Sequence, residues 1–200
     1  MQPVTLHANG VAGGPGSGAL LLDQPTRGDI DAITLSCQDP IVEDFLTIPW
    51  PYARADAEFF VNEFVPNGWE TGDEATWALR SDGEFLGVIG LRANTGMIGF
   101  WLGAPHRGRG FMPRAVSAVS DWAFETQFAG LSAIRWEAVV GNVASLAVAR
   151  KTGFRFTGVA ASVVAGRDGS HGPAWQAVLH ATDDRAPKPG WPTVEPSEAP

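Results

Sequence analysis

The chain has 200 residues, 44% of them hydrophobic and 18% charged, with a formal net charge of -8. That is enough chain for one sizeable globular domain with a full core, and the charged fraction is not that of a disordered chain. An acidic whole argues against a duplex nucleic-acid binder, which needs a broad basic face, and no apolar run is long enough to span a membrane.

The single cysteine, Cys37, excludes an internal disulfide and a cysteine-based metal cage. It lies in the helical-looking GDIDAITLSCQ, where it reads as a buried small hydrophobe rather than a reactive thiol. The four histidines (His7, His106, His171, His180) show no ligand spacing such as HExxH, so no metal is expected, and His106 is expected on a solvent-facing loop. MQPVTLHANGVAGGPGSG lacks the basic start and apolar stretch of a secretory signal, which leaves a cytoplasmic location as the expectation.

In chain order, glycine-rich residues 1–18 are expected to be a flexible segment. ALLLDQ (19–24) reads as a short strand, and Thr26 caps a helix over RGDIDAITLSC. IPWPY (48–52) is a proline-stiffened aromatic turn. RADAEFFVNEFV (54–65) places Ala57, Phe60, Val61 and Phe64 at helical spacing. ATWALRS (75–81), EFLGVIGLR (84–92) and MIGFWLG (97–103), joined by SDG and ANTG, predict an antiparallel meander. MPRAVSAVSDWAFETQF (112–128) has apolar residues at 112, 115, 116, 119, 122 and 123, with Pro113 in the first turn, and predicts a helix. SAIRWEAVV (132–140) alternates as a strand. NVASLAVARKTG (142–153) is a short helix with Asn142 as N-cap and Gly153 at the C-cap. FRFTGVAASV (154–163) and AWQAVLHAT (174–182) complete the strands. Residues 183–200, rich in proline, are expected to be an extended or disordered arm.

A helix between the third meander strand and the next strand is a crossover, which lets those two strands lie parallel. The expected architecture is therefore a single α/β domain over 19–182, a mixed, mostly antiparallel sheet of about seven strands flanked by about four helices.

The net charge hides a split. Residues 1–92 hold fourteen acids and four bases, residues 93–180 four acids and eight bases. The positive charge concentrates in APHRGRGFMPRA (104–115), which carries three arginines and no acid and runs into a helix. A helix N-terminus offers unpaired N–H groups and about half a positive charge. Gly108 and Gly110 remove Cβ atoms, so an anion can approach the backbone, and Arg107 and Arg109 add attraction. The window thus reads as a phosphate cradle, with a solvated basic turn as the plainer alternative. GxxxxGK[ST] is absent, and GxGxxG fails because Pro113 stands at its third glycine.

From 94 to 160 the chain resembles the GNAT acetyltransferase superfamily, most closely its branch that acetylates ribosomal-protein N-termini. IGFWLGAPHRGRGFMPRAV is similar to the family's Arg-x-x-Gly-x-Gly/Ala pyrophosphate loop, carried here by Arg107, Gly108, Arg109, Gly110, Phe111 and Met112. NVASLAVARKTGFRFTG is similar to its Asn-x-x-Ser…Gly-Phe segment, carried by Asn142, Ser145, Gly153 and Phe154. Met112 departs from the pattern, standing where glycine or alanine is usual.

The resemblance implies acetyl-CoA as cosubstrate, with its pyrophosphate on the N–H groups of 107–112 and its pantetheine arm along IGFWLG. An N–H near Trp101 or Leu102 would hold the thioester oxygen, Asn142 the pantetheine amide, and Ser145 would lie near the sulfur. As a plain N-cap and its partner, Asn142 and Ser145 have a purely structural reading as well. The tyrosine that many members place after this helix is missing, and the only tyrosine is Tyr52, so Ser145 is the candidate acid. No carboxylate occurs between Glu84 and Asp121. That leaves Glu137 as candidate base, with an ion pair to Arg135 as its alternative role. The acceptor would be a cationic amine, a peptide N-terminus or a small amine, entering opposite the cofactor near IPWPYARAD, Trp69 and Trp77. A homodimer accords with the family's habits. A CoA-binding sensor without turnover, and more remotely a nucleotide-phosphate enzyme, are the competing readings.

Overall fold

A computed structural model describes residues 1–8 and 18–193. Two sheets carry the fold. The first is β1 (Leu6–Ala8), β2 (Leu20–Asp23), β3 (Glu74–Ser81), β4 (Glu84–Arg92) and β5 (Ile98–Leu102), in that spatial order and antiparallel throughout. The second is β6 (Ala133–Val139), β7 (Arg155–Ala161) and β8 (Pro173–His180), with β8 in the middle. The predicted single sheet of about seven strands is thus eight strands in two sheets. They meet at one parallel bridge, Met97 to Arg135, where Arg135 N–H donates to the Gly96 carbonyl at 2.8 Å. Beyond that bridge β5 and β6 diverge, and the opening between them organises everything below.

The helices are α1 (Ile30–Cys37), α2 (Ile41–Phe45), α3 (Arg54–Phe59), α4 (Val65–Thr71), α5 (Phe111–Glu125) and α6 (Val143–Lys151). Every position in α5 picked out by periodicity (Met112, Ala115, Val116, Val119, Trp122, Ala123) is buried against the sheets. Trp69, Trp77 and Trp122 meet edge-on with ring centroids 5.0–6.2 Å apart. Trp69 and Trp77, expected near the acceptor, are therefore core side chains, fully enclosed because their ring faces fill the space between α4, α5 and β3.

The predicted helix over 54–65 departs from simple periodicity. A π-helical turn at Phe60–Phe64 joins α3 to α4. Pro66 has no N–H to continue the i→i−4 ladder, and the irregular turn falls just before it. The extra residue changes the buried row to Ala57, Val61, Val65 and Trp69 and leaves Phe59 and Phe64 exposed, with Phe60 half-buried.

α1 is anchored at its entrance. Arg80 on β3 donates to both Asp29 oxygens at 2.7 Å and to Asp23 at 2.8 Å and 3.0 Å. Asp29 also accepts from the Thr26 N–H and hydroxyl. Burial alone would raise its pKa, but the Arg80 and Thr26 hydrogen bonds outweigh that and hold the carboxyl below its usual range.

Both ends of the described chain are tied down: residues 1–8 are not the expected flexible segment, and the described part of the C-terminal arm is extended and packed. β1 pairs with β2, and the Met1 ammonium donates to the Trp69 carbonyl. At the other end Arg185 pairs with Asp121, and Trp191 packs against Trp136 and Phe156. Gly153 serves this docking as well as ending α6: a Cβ there would lie 2.7 Å from Arg185 Cα. Residues 9–17 and 194–200, the rest of those two expectations, lie outside the described residues.

Candidate active site

The opening between β5 and β6 holds two connected hollows. One, of about 290 Å³, is lined by Arg107, Gly108, Gly110 and Met112 of the loop and by Asn142, Ser145, Val148 and Lys151 of α6. The other, of about 460 Å³, lies towards α2 and α3 and is floored by Glu74, Thr76, Gly90 and Gly99. Phe45, Leu46, Phe100, Trp101, Asn142 and Ser145 belong to both. A ligand in each would meet beside Phe100, Trp101 and Ser145.

The loop at the first hollow is open. Gly108 and Gly110 take φ of 73° and 81°, a region that L side chains disfavour, and a Cβ on Gly108 would meet nothing within 4 Å. Of the expected N–H groups of 107–112, that of Arg107 donates to the Ala104 carbonyl at 3.3 Å, and those of 108–112 have no protein acceptor among the described residues. Gly110 is the N-cap of α5, so these amides sit at its positive end. The Met112 side chain is buried under α5, which keeps it out of the cradle.

The arginines are placed more firmly than charge attraction alone suggests. Arg107 donates from Nε to the Leu102 carbonyl at 3.0 Å and pairs with Asp39 at 2.9 Å, so it braces the loop against the segment before α2. Arg109 lies over the Phe111 ring, 4.9 Å from its centroid. His106 is not solvent-facing: it is buried, and its Nδ1 has no partner among the described residues.

β5 supplies an open edge. Arg92 N–H bonds to Met97 and Gly103 N–H to Leu86, so with this register Gly99 and Trp101 also face β4. The N–H groups of Phe100 and Leu102 then point the other way, into the opening. Of the two expected donors, the Leu102 N–H thus points into the opening and the Trp101 N–H does not; the Phe100 N–H does. The period-2 rule applied to a register read from the ANTG turn could have found Phe100.

At α6, Asn142 accepts from Ser145 N–H at 3.1 Å, the N-cap bond. Ser145 Oγ in turn accepts from Trp136 Nε1 at 3.0 Å. The Ser145 hydroxyl has no acceptor of its own among the described residues, so it is free to donate into the opening.

Glu137 lines the opening but is not free. Its Oε1 accepts from Ser162 Oγ and Val164 N–H at 2.8 Å, and its Oε2 from Val163 N–H at 2.9 Å. No ion pair joins it to Arg135 among the described residues. Both oxygens of the candidate base are thus engaged with residues 162–164, which it holds as a strut. Tyr52 is buried in the α1–α3 cluster, and burial pushes its phenol well above the usual range, so it holds its proton. Burial likewise pushes the Cys37 thiol up to about 12, leaving it inert.

A family profile described as an acetyltransferase (GNAT) domain matches residues 19–155, more than half of the chain. The chain belongs to the GNAT acetyltransferase family. Three solved structures share its fold. RimJ from Mycobacterium smegmatis, in complex with a CoA-disulfide, is 19% identical with a TM-score of 0.74, over 90% of each chain. RimL, a ribosomal L7/L12 α-N-protein acetyltransferase in complex with coenzyme A, is 18% identical with a TM-score of 0.69, covering 80% of this chain and 93% of its own. The microcin C7 self-immunity acetyltransferase MccE, in complex with acetyl-CoA and AMP, is 17% identical with a TM-score of 0.68, covering 80% of this chain and 92% of its own. No curated protein matches. Among the described residues no helix is long and apolar enough to cross a membrane, and no group of three or more His, Cys, Asp or Glu is placed to hold a metal.

Proposed function

We propose that the protein transfers an acetyl group from acetyl-CoA to a primary amine by direct attack. The observation that carries this is the pair of hollows meeting at Ser145: an amide cradle with an open strand edge on one side, and an apolar cleft with a carboxylate in its floor on the other. The residues fit coenzyme A. The N–H groups of 108–112 would take the pyrophosphate, the outer edge of β5 the pantetheine amides, and Asn142 and Lys151 flank the same hollow. When bound, the cosubstrate supplies an activated acetyl thioester.

The chain's own residues do the rest. The N–H of Phe100 or Leu102 would face the oxygen that gains negative charge during attack, a contribution of about 3 kcal/mol where such a donor is rigid. Ser145, its oxygen held by Trp136, presents a proton towards the departing sulfur. Held against Asp39, the loop is set in place before ligand arrives rather than folded by it.

A sensor without turnover would need the cradle alone. The continuity of the second hollow with Ser145 supports the transferase instead. The direct test is thiol release from acetyl-CoA with a panel of N-terminal peptides and small amines. Release with at least one amine is expected; CoA binding without release across the panel would establish the sensor. The acceptor's peptide or small-amine character, a cytoplasmic location and a homodimer remain parts of this reading.

A further inference from the structure

The floor of the larger hollow contains an arrangement that acetyl transfer alone does not require. Gly90 on β4 pairs with Gly99 on β5; the side-chain position at Gly99 faces empty space and that at Gly90 faces Glu74 and Thr76. At Gly99 a Cβ would meet nothing within 4 Å, so the floor is open there. At Gly90 a Cβ would lie 2.7 Å from Glu74 Oε1 and 3.3 Å from Thr76 Oγ1, so the Glu74 carboxylate occupies the place of that missing side chain.

The two Glu74 oxygens are unequally served. Oε2 accepts from Arg92 Nε at 3.1 Å. Among the described residues Oε1 has only the Thr76 hydroxyl at 3.5 Å, beyond the normal range for an O–H donor. The side chain is only 19% exposed, so water serves it poorly, and an under-served carboxylate oxygen at such a site favours a cationic donor. The walls above it are apolar: Phe45, Ile48, Phe60, Phe64 and Phe100. Of the other acids on this cleft, Glu137 has both oxygens engaged by residues 162–164, and Asp56 accepts the Ala53 N–H as part of the α3 cap, away from the Gly90–Gly99 floor.

We propose that Glu74 Oε1 is the docking seat of the acceptor's ammonium, which releases a proton to solvent before its neutral nitrogen attacks the thioester, and that the acceptor carries this group on an apolar, ring-sized body. The assignment rests on the reading above that this hollow receives the acceptor. Gly90 is then a specificity residue, since its lack of a Cβ is what lets the carboxylate lie in the floor. A small polycation without apolar surface would leave the phenylalanine walls wet.

The test compares 2-phenylethylamine, protonated at pH 7.5, with its uncharged analogue 2-phenylethanol. Binding to the CoA-saturated protein is followed by tryptophan fluorescence, since Trp101 and Trp136 line the cleft. Wild type should bind the amine more tightly than the alcohol by about tenfold, and Glu74→Gln should erase that preference. Gly90→Ala, which keeps every charge but displaces the carboxylate, should erase it too. Putrescine should bind more weakly than 2-phenylethylamine. No preference in wild type, a preference surviving in Glu74→Gln, or tighter binding of putrescine would each overturn the assignment. Failure of wild type to bind CoA would instead sink the transferase reading, and it is scored separately from the amine titration.

Discussion

On the cofactor side of the opening, the open edge of β5 and the amides of the loop lie within one strand–loop–helix unit, residues 98–112, with α6 closing over them. The acceptor side draws Phe45, Phe60, Glu74, Gly90 and Gly99 from five separate elements. One wall is made by local backbone geometry, where glycines and a helix end suffice. The other is made by side chains that only the tertiary fold brings together. Arg107 and Asp39 connect the two, so neither wall is independent of the other. A local site should break sharply at single backbone positions, whereas an assembled one should degrade through its supports.

The sharpest break should come at Gly110. Gly110→Glu puts a carboxylate where the pyrophosphate approaches, and CoA affinity should fall by about 100-fold or more in a calorimetric titration. Gly110→Ala separates charge from strain: at φ 81° a side chain costs about 1 kcal/mol of backbone energy, and binding should fall much less. Unchanged affinity in the Glu variant would mean the loop does not hold the diphosphate.

The acceptor side should fail through its anchor. Asp29, held below its usual pKa by Arg80 and Thr26 despite burial, contributes stability above its unfolded pKa of about 3.9 and loses it as pH falls through the lower folded value. Wild-type urea midpoints should therefore drop steeply on acidification below about pH 4. Asp29→Asn should be less stable at pH 7 by about 2 kcal/mol, with a shallower acid decline. Equal pH slopes for the two proteins would show that the Asp29–Arg80 pair does not bear the load.

Where the walls meet, the effect should be smaller and confined to turnover. Ser145→Ala and Trp136→Phe should each lower kcat by about tenfold, the worth of one oriented hydrogen bond, while CoA affinity stays within about threefold. The double variant should be no slower than either single one, because both remove the same proton's orientation. Additive losses would place Ser145 and Trp136 in separate roles.

The contrast between the walls also explains what the sequence made legible. α5 was readable residue by residue, because its buried row follows one period of 3.6 from Met112 to Ala123. The amide cradle was readable because glycine at 108 and 110 before a helix is a statement about local φ. Asn142 and Ser145 were readable as a cap for the same reason. Glu74 was passed over because it lies 25 residues from Gly99 in sequence, and only strand register places it in the cleft. The opening itself depends on β5 and β6 touching at a single bridge, a fact of sheet geometry that no periodicity records. Trp69 and Trp77 were misplaced by chain order, which put aromatic residues near the acceptor without regard to the π-helical turn that sends Phe60 and Phe64 there instead.

Glu137 offers the finest test of the comparison, since it stands on the acceptor side yet behaves as structure. A general base contributes about 100-fold to 10,000-fold to rate, so Glu137→Gln would be nearly inactive if the carboxylate took the amine's proton. As a strut the same change replaces one accepting oxygen with an NH2 group facing an N–H of residues 163–164. The other oxygen can still accept, and kcat should fall less than about threefold while stability falls by about 1 kcal/mol. The pH dependence of kcat/KM should be unmoved, because no titrating group of the reaction has been removed. Exchange of the Val163 and Val164 amides should quicken in the variant, and a slowed reaction with unchanged exchange would return Glu137 to the chemistry.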